Sequence, residues 1–240
     1  MDRYSRTKAL PGMGEAGQQC ISAGRVLVVG AGALGSVCAL YLAGAGVGNI
    51  TVADFDTVDI SNLQRQVAYT EADAGHSKAR TLCSRLRALN SEITATPVVA
   101  MVTARTLPAL LENVDVVADC TDNAASKHTL SRLVCDAGLP CVTAGVDAYT
   151  AQVTVTAPGH PSFADIFGDV APGAACAAGG SSLAEMRPCA AAGVFGPAAG
   201  MAATAQAAEI LKILAGVGTP LIARLLVIDT LTASANVLSL

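Results

Sequence analysis

RVLVVGAGALGSVCALYLAGAGVGNITVADFDTVDISNLQRQ, residues Arg25 to Gln66, decides how this chain folds. Its first six residues, Arg25 to Gly30, form an apolar run of strand character. Gly30, Gly32 and Gly35 follow at G-x-G-x-x-G spacing. The pattern then predicts a helix over Ala33 to Ala45 and a second strand over Asn49 to Asp54. Each glycine has a physical task. Gly30 permits a tight turn, Gly32 lets backbone N–H groups approach a phosphate, and Gly35 lets the helix pack close to the strand. The helix N-terminus adds a partial positive charge that favours an anion. Asp54 closes the second strand, where a ribose hydroxyl would sit. Together these features point to an adenine nucleotide, without saying which one.

The tail of the stretch bears on that choice. Asp56, Ser61, Asn62, Arg65 and Gln66 follow within a short span of Asp54. A pyrophosphate can be held largely by backbone amides, whereas a triphosphate carries more charge and needs cations for its outer phosphates. Arg65 supplies one just past the strand. Lys78 supplies another at the start of the next helix, where the helix dipole makes a cation mildly unfavourable and an anionic ligand a better reason for it. Later in the chain the apolar strand Val114 to Cys120 runs into Thr121-Asp122-Asn123. Asp122 or Asn123 can cap the helix that follows, over Ala125 to Ala137. Asp122 also lies at a strand's carboxyl edge, where open α/β sheets bind ligands.

The runs GAGALGS, DFDTVDISNLQRQ, GHSK and DCTDN resemble those of the ThiF/MoeB/HesA family, bacterial relatives of the ubiquitin-activating enzymes. The resemblance extends from Arg3 to about Asp229. It implies ATP-dependent adenylation of the C-terminal glycine carboxylate of a ubiquitin-like sulfur-carrier protein. The nucleotide would be bound by Gly30, Gly32, Gly35, Asp54, Asp56, Asn62, Arg65, Gln66 and Lys78, with Asn62, Arg65 and Lys78 also acting on the phosphates. Asp122 would hold Mg2+ beside the triphosphate, a sound pairing of a hard cation with carboxylate and phosphate oxygens. RYSR, Arg3 to Arg6, matches the family's opening, and Arg6 would reach the partner's nucleotide site in a homodimer. Thr7 stands where a glutamine is usual. Cys189 matches a cysteine that takes the activated group in some members and is dispensable in others. Many relatives also carry a zinc site of two C-x-x-C pairs. Here HPSFADIF occupies the first position and the chain stops at Leu240 without the second, so no zinc is expected.

Composition agrees with this class. The chain has 240 residues, fitting one domain, with 52% hydrophobic residues, 14% charged and a formal net charge of −4. That balance, 3% aromatics and no Trp argue against nucleic acid as the main partner. The 8 cysteines include no C-x-x-C pair, and most fall in apolar patterns as small core residues. Val26 to Ala53 and Ala190 to Ala208 are uncharged, but glycines break the first, and the second is Ala/Gly-rich with Pro197 and Gln206. Both read as buried elements rather than membrane spans. Met1 to Ala23 lacks a continuous apolar core, so no signal peptide and a cytoplasmic location are expected.

The remaining pattern completes an α/β fold: a Rossmann-like, mostly parallel sheet flanked by helices, with a C-terminal antiparallel extension and a crossover loop. Residues 1–24 read as an N-terminal arm, 25–157 as the nucleotide-binding part, 158–189 as the crossover loop and 190–240 as the closing helix and strands. Strands are expected at Thr94 to Val102, Pro140 to Val146 and Thr150 to Ala157, the last with one exposed face, and a short helix at Ala104 to Glu112. A long helix at Pro197 to Ala215 and strands at Leu225 to Asp229 and Asn236 to Leu240 follow. Two other readings stay open. An NAD-dependent oxidoreductase would use the glycine loop and Asp54 but leave Arg65, Lys78 and Asp122 without roles. A nucleotide-binding scaffold could dock a carrier without catalysis.

Overall fold

A computed structural model describes residues 2–168 and 193–240. One 8-stranded sheet, in the order β3-β2-β1-β4-β5-β6-β7-β8, runs through it. The strands are β1 Arg25–Val29, β2 Asn49–Ala53, β3 Thr94–Val98, β4 Val116–Asp119, β5 Cys141–Asp147, β6 Thr150–Thr156, β7 Arg224–Asp229 and β8 Ser234–Ser239. β3 to β5 pair in parallel in the order above, and β5 to β8 pair antiparallel. The parallel half is therefore the expected sheet, and the closing strands are the expected antiparallel extension.

β1 is central to the parallel half and buried on both sides. Val26 and Val28 face one core, packed with α3 Ala33–Ala45, α4 Lys78–Leu89 and the later helix α8 Gly196–Ala215. Leu27 and Val29 face the other, with Leu107 of α5 Leu107–Leu110 and Leu130 and Val134 of α6 Ala124–Asp136. The strand period of two sends alternate side chains to opposite faces. Burying each such aliphatic side chain is worth roughly 1.5–3 kcal/mol. α8 fits because its buried face is nearly all alanine, at Ala198, Ala199, Ala202, Ala203 and Ala207. It meets Cys38, Ala39 and Ala43 of α3, so the two backbones pack closely without large side chains between them.

Several elements differ from the sequence expectation. Residues 1–24, read as an arm, carry two helices, α1 Ser5–Lys8 and α2 Gly14–Ala23. Ile21 of α2 is fully buried, and Gln18 donates to the Ala45 carbonyl at 2.9 Å. One apolar residue per turn gave too weak a period to show in the sequence. β3 stops at Val98 and α5 spans only Leu107–Leu110. Between them Thr103 and Thr106 exchange backbone–hydroxyl bonds, Thr103 N to Thr106 Oγ1 at 2.9 Å and Thr106 N to Thr103 Oγ1 at 3.3 Å. Such local side-chain bonds compete with strand and helix ladders. β6 was expected to expose one face, yet Thr154 and Thr156 are buried. Thr154 Oγ1 donates to the Arg224 carbonyl and Thr156 Oγ1 pairs with Ser131 Oγ, so both hydroxyls are satisfied inside. The predicted crossover loop, 158–189, holds a short helix near its start, α7 Phe163–Phe167; from residue 169 on, Cys189 included, it lies outside the described residues.

Candidate functional site

Strand order reverses between β1 and β4, whose parallel pairing places their carboxyl ends side by side. At such a switch point the loops part and leave a crevice. A cavity of about 500 Å³ lies there, bounded by Val29 and Gly30 after β1, Ala53 and Asp54 after β2, and Cys120 after β4. Gly32, Asp56, Asn62, Arg65, Gln66, Lys78 and Asp122 also line it. Of the site residues named from the sequence, those that are described converge on one cavity except for two. Gly35 lies behind the loop, Arg6 is exposed on α1, and Cys189 is outside the described residues.

The glycine loop is held from several directions. Gly30 has φ +95°, a conformation open to glycine and strained for other residues, and a Cβ there would lie 2.8 Å from the Cys120 carbonyl oxygen. A Cβ on Gly35 would lie 1.8 Å from the Gly30 carbonyl oxygen, so α3 can start this close to β1 only without a side chain. Asp54 Oδ2 accepts the Ala31 N–H at 2.6 Å and Oδ1 accepts the Asp56 N–H at 2.7 Å. A carboxylate has about four acceptor sites, so the half-buried Asp54 keeps capacity for ligand hydroxyls. Tyr69 donates its hydroxyl to the Ala31 carbonyl at 2.7 Å, and burial pushes that hydroxyl's pKa well up, so it stays a donor.

The cations sit on the same wall. Lys78 opens α4 behind the N-cap Ser77, with only 6% of its side chain exposed. Its Nζ lies 2.6 Å from Asp56 Oδ2, and its backbone N–H donates to the Asp56 carbonyl at 3.0 Å. Asp56 therefore meets the cavity as the counter-ion of Lys78. Arg65 is half-buried and donates from Nη1 to the Ser61 carbonyl at 3.3 Å. Asn62 ends a single 3-10 turn, Ile60–Asn62, capped by Asp59. Gln66 is 4% exposed, and its Oε1 has no hydrogen-bond partner among the described residues.

The opposite wall is the turn after β4. Asn123 caps α6 by accepting the Ser126 N–H, which leaves Asp122 free of that role. Asp122 is exposed, and its Oδ1 accepts a long 3.3 Å bond from Asn123 Nδ2. Asp119 is fully buried and accepts from the Thr121 N–H, the Thr121 hydroxyl and the Thr143 hydroxyl. Cys120 lines the cavity, but its thiol donates to Gln206 Oε1 and burial pushes its pKa well up. A thiol kept protonated in this way is a poor nucleophile. Among the described residues no three His, Cys, Asp or Glu side chains form a metal-binding cluster, and no helix is long and apolar enough to cross a membrane.

Sequence reasoning missed part of the lining. Met101 and Val102 come from an irregular segment with no motif, and Val146 and Val194 come from elements that only the fold brings here. Lys127 also lines the cavity, near the start of α6. The clue that singled out Lys78, a lysine close to a helix N-terminus, applied to Lys127 as well.

A Gly-rich strand–turn–helix, an acid closing β2 and cations in the same cavity define a nucleotide-binding α/β protein. Residues 4–240 match the ThiF family, and the chain belongs to it. It is 36% identical over 237 residues to the molybdopterin-synthase adenylyltransferase of Escherichia coli, covering 97% of this chain and 89% of that protein. The E. coli sulfur carrier protein ThiS adenylyltransferase is 36% identical over 218 residues, covering 91% of this chain and 83% of that protein. The adenylyltransferase and sulfurtransferase MOCS3 of Bos taurus is 39% identical over 230 residues, but the chain spans only 48% of its length. In fold the chain matches the crystal structure of E. coli MccB with ATP, with a TM-score of 0.80 and 20% identity, covering 99% of this chain and 71% of that one.

Proposed function

We propose that this chain adenylates the C-terminal glycine carboxylate of a ubiquitin-like sulfur-carrier protein. The carboxylate attacks the α-phosphate of ATP, forming an acyl-adenylate and releasing pyrophosphate. The observation that carries this reading is Lys78. A buried ammonium, with Arg65 on the same wall, faces a nucleotide-sized cavity at the glycine loop. An NAD enzyme needs no such pair, whereas a triphosphate losing pyrophosphate does. The names of the E. coli relatives support the same chemistry.

No general base is required, because the nucleophile is already ionised. Positioning and electrostatics carry the step. The Gly30–Gly35 loop offers backbone N–H groups to the phosphates, and Asp54 uses its spare acceptor capacity on the ribose. Asp56 holds Lys78 in place until the phosphates arrive. Asp122 fits Mg2+: it is a hard oxygen donor, it does not cap α6, and it opens on the cavity. The cation would neutralise charge moving onto pyrophosphate. Arg6, exposed on α1, would enter the cavity of a second copy, making the active form a homodimer.

The deciding experiment is ATP–pyrophosphate exchange with purified protein and Mg2+, with and without carriers ending in Gly-Gly. Exchange that disappears when the carrier's last glycine is removed is the expected result. Nucleotide binding without exchange, for every such carrier of the source genome, would favour the scaffold reading.

A further inference from the structure

We propose that Lys127 is a positioning residue: through Asp119 it fixes the turn that presents Asp122 to the cation-bearing end of a bound nucleotide. The inference rests on the reading of Asp122 given above. Lys127 is 1% exposed, in a position where a lysine is seldom found. Its Nζ donates to the Ala144 carbonyl of β5 at 2.6 Å and lies 3.6 Å from Asp119 Oδ1 at the end of β4. The same Oδ1 accepts the Thr121 N–H at 3.0 Å and the Thr121 hydroxyl at 2.7 Å. Oδ2 accepts the Thr143 hydroxyl of β5 at 3.3 Å. One buried carboxylate thus ties β4, β5 and α6 to the residue directly before Asp122.

A buried ion pair is a weak way to gain stability, since desolvation offsets most of the attraction. Its distinctive property is geometric. In a dry site a charged network with each member satisfied rigidifies its surroundings. Asp122 needs such support. Its own side chain is exposed and, among the described residues, has one long contact, with Asn123, so its place is set by the backbone of the turn. The Thr121 N–H bond to Asp119 anchors that backbone, and Lys127 holds Asp119. Partners behind a metal-holding group commonly change metal affinity by about 10–100-fold when removed.

The test is calorimetric titration of the full chain with ATP, with and without Mg2+. The readout is the ratio of the two affinities, which needs neither carrier nor turnover. Lys127→Met is expected to lower the Mg2+-dependent gain about tenfold while leaving metal-free ATP affinity within about twofold. Lys127→Arg, which keeps the charge, is expected to restore most of the gain. Thr121→Val removes only the hydroxyl bond to Asp119 and is expected to shift the ratio the same way by a smaller factor, which keeps the test open should Lys127→Met not fold. Equal loss of affinity with and without Mg2+ would make Lys127 a phosphate ligand or a fold element and overturn the proposal. So would an unchanged ratio in Thr121→Val and Lys127→Met. A wild-type protein whose ATP affinity ignores Mg2+ would remove the reading of Asp122 itself, and this inference with it.

Discussion

The two walls of the cavity are built differently. The glycine-loop wall is sequence-local and partly open: Asp54 reaches Ala31 across 23 positions, and Lys78 reaches Asp56 across 22. Its ionic pair is half wet, since Asp56 keeps 55% of its side chain exposed. The Asp119–Lys127 wall is dry, and its support comes from far along the chain. Gln206 of α8 donates to the Asp119 and Val142 carbonyls across 87 and 64 positions. The contrast teaches how one site divides its labour. On the proposed reading, the wall that meets phosphates stays partly exposed, and the groups that fix a turn are locked by burial.

Breaking the open wall is expected to have the largest effect on activity. Lys78→Ala or Arg65→Ala should lower exchange about 10²–10³-fold with little change in the melting midpoint. Mixing Lys78→Ala with Arg6→Ala protein sharpens the point. Each is expected to be nearly inactive alone, yet one of the two sites in a mixed dimer keeps both groups, so about a quarter of wild-type exchange should return after subunit exchange. No recovery would argue against Arg6 acting across the dimer.

Gly35→Ala strikes where the walls meet, since its Cβ would press on the Gly30 carbonyl and on Cys120. Denaturant unfolding should show a loss of about 3 kcal/mol, the upper end for overpacking. Gln206→Leu tests the dry wall by stranding the Asp119 and Val142 carbonyls. The expected cost is about 2 kcal/mol, and an unchanged midpoint would show that water or another donor replaces the amide.

The smallest expected effect concerns pH outside the cavity, at Asp73 in the 3-10 turn Glu71–Asp73. Burial pulls the Asp73 carboxyl upward, but Thr70, through its N–H and hydroxyl, and the Arg85 guanidinium outweigh it and hold the carboxyl below its ordinary range. A depressed native value means the stabilisation is present above the unfolded value of about 4 and is lost as pH falls through the native one. Wild type should therefore lose more stability than Asp73→Asn on acidification below that value, measured by thermal melts at stepped pH.

Much of this was legible because one wall is encoded locally. Gly30, Gly35, Asp54 and the helix Ala33–Ala45 follow from spacing alone, since strand, tight turn and helix leave a periodic trace. The helix of residues 14–23 left no such trace, because it buries too few apolar residues to show a period. Lys78 was visible as a cation at a helix N-terminus, Arg65 by its place just past a strand, and Asp122 by its place at a strand's carboxyl edge. Lys127 carried the same clue as Lys78, but its role was hidden, because its partners Asp119 and Ala144 meet it only when β4, β5 and α6 assemble.

By itself the sequence determined the strand–turn–helix–strand succession of the parallel unit, the glycine turn and the residue types that could meet a triphosphate. Backbone conformation and charge are local properties, and a short run of residues is enough to state them. Only the tertiary structure decided which groups line one cavity, that Asp119 ties β4, β5 and α6 together, and that Gln206 of α8 holds the Asp119 and Val142 carbonyls. Those outcomes depend on burial and on contacts between distant segments, and no local pattern records them.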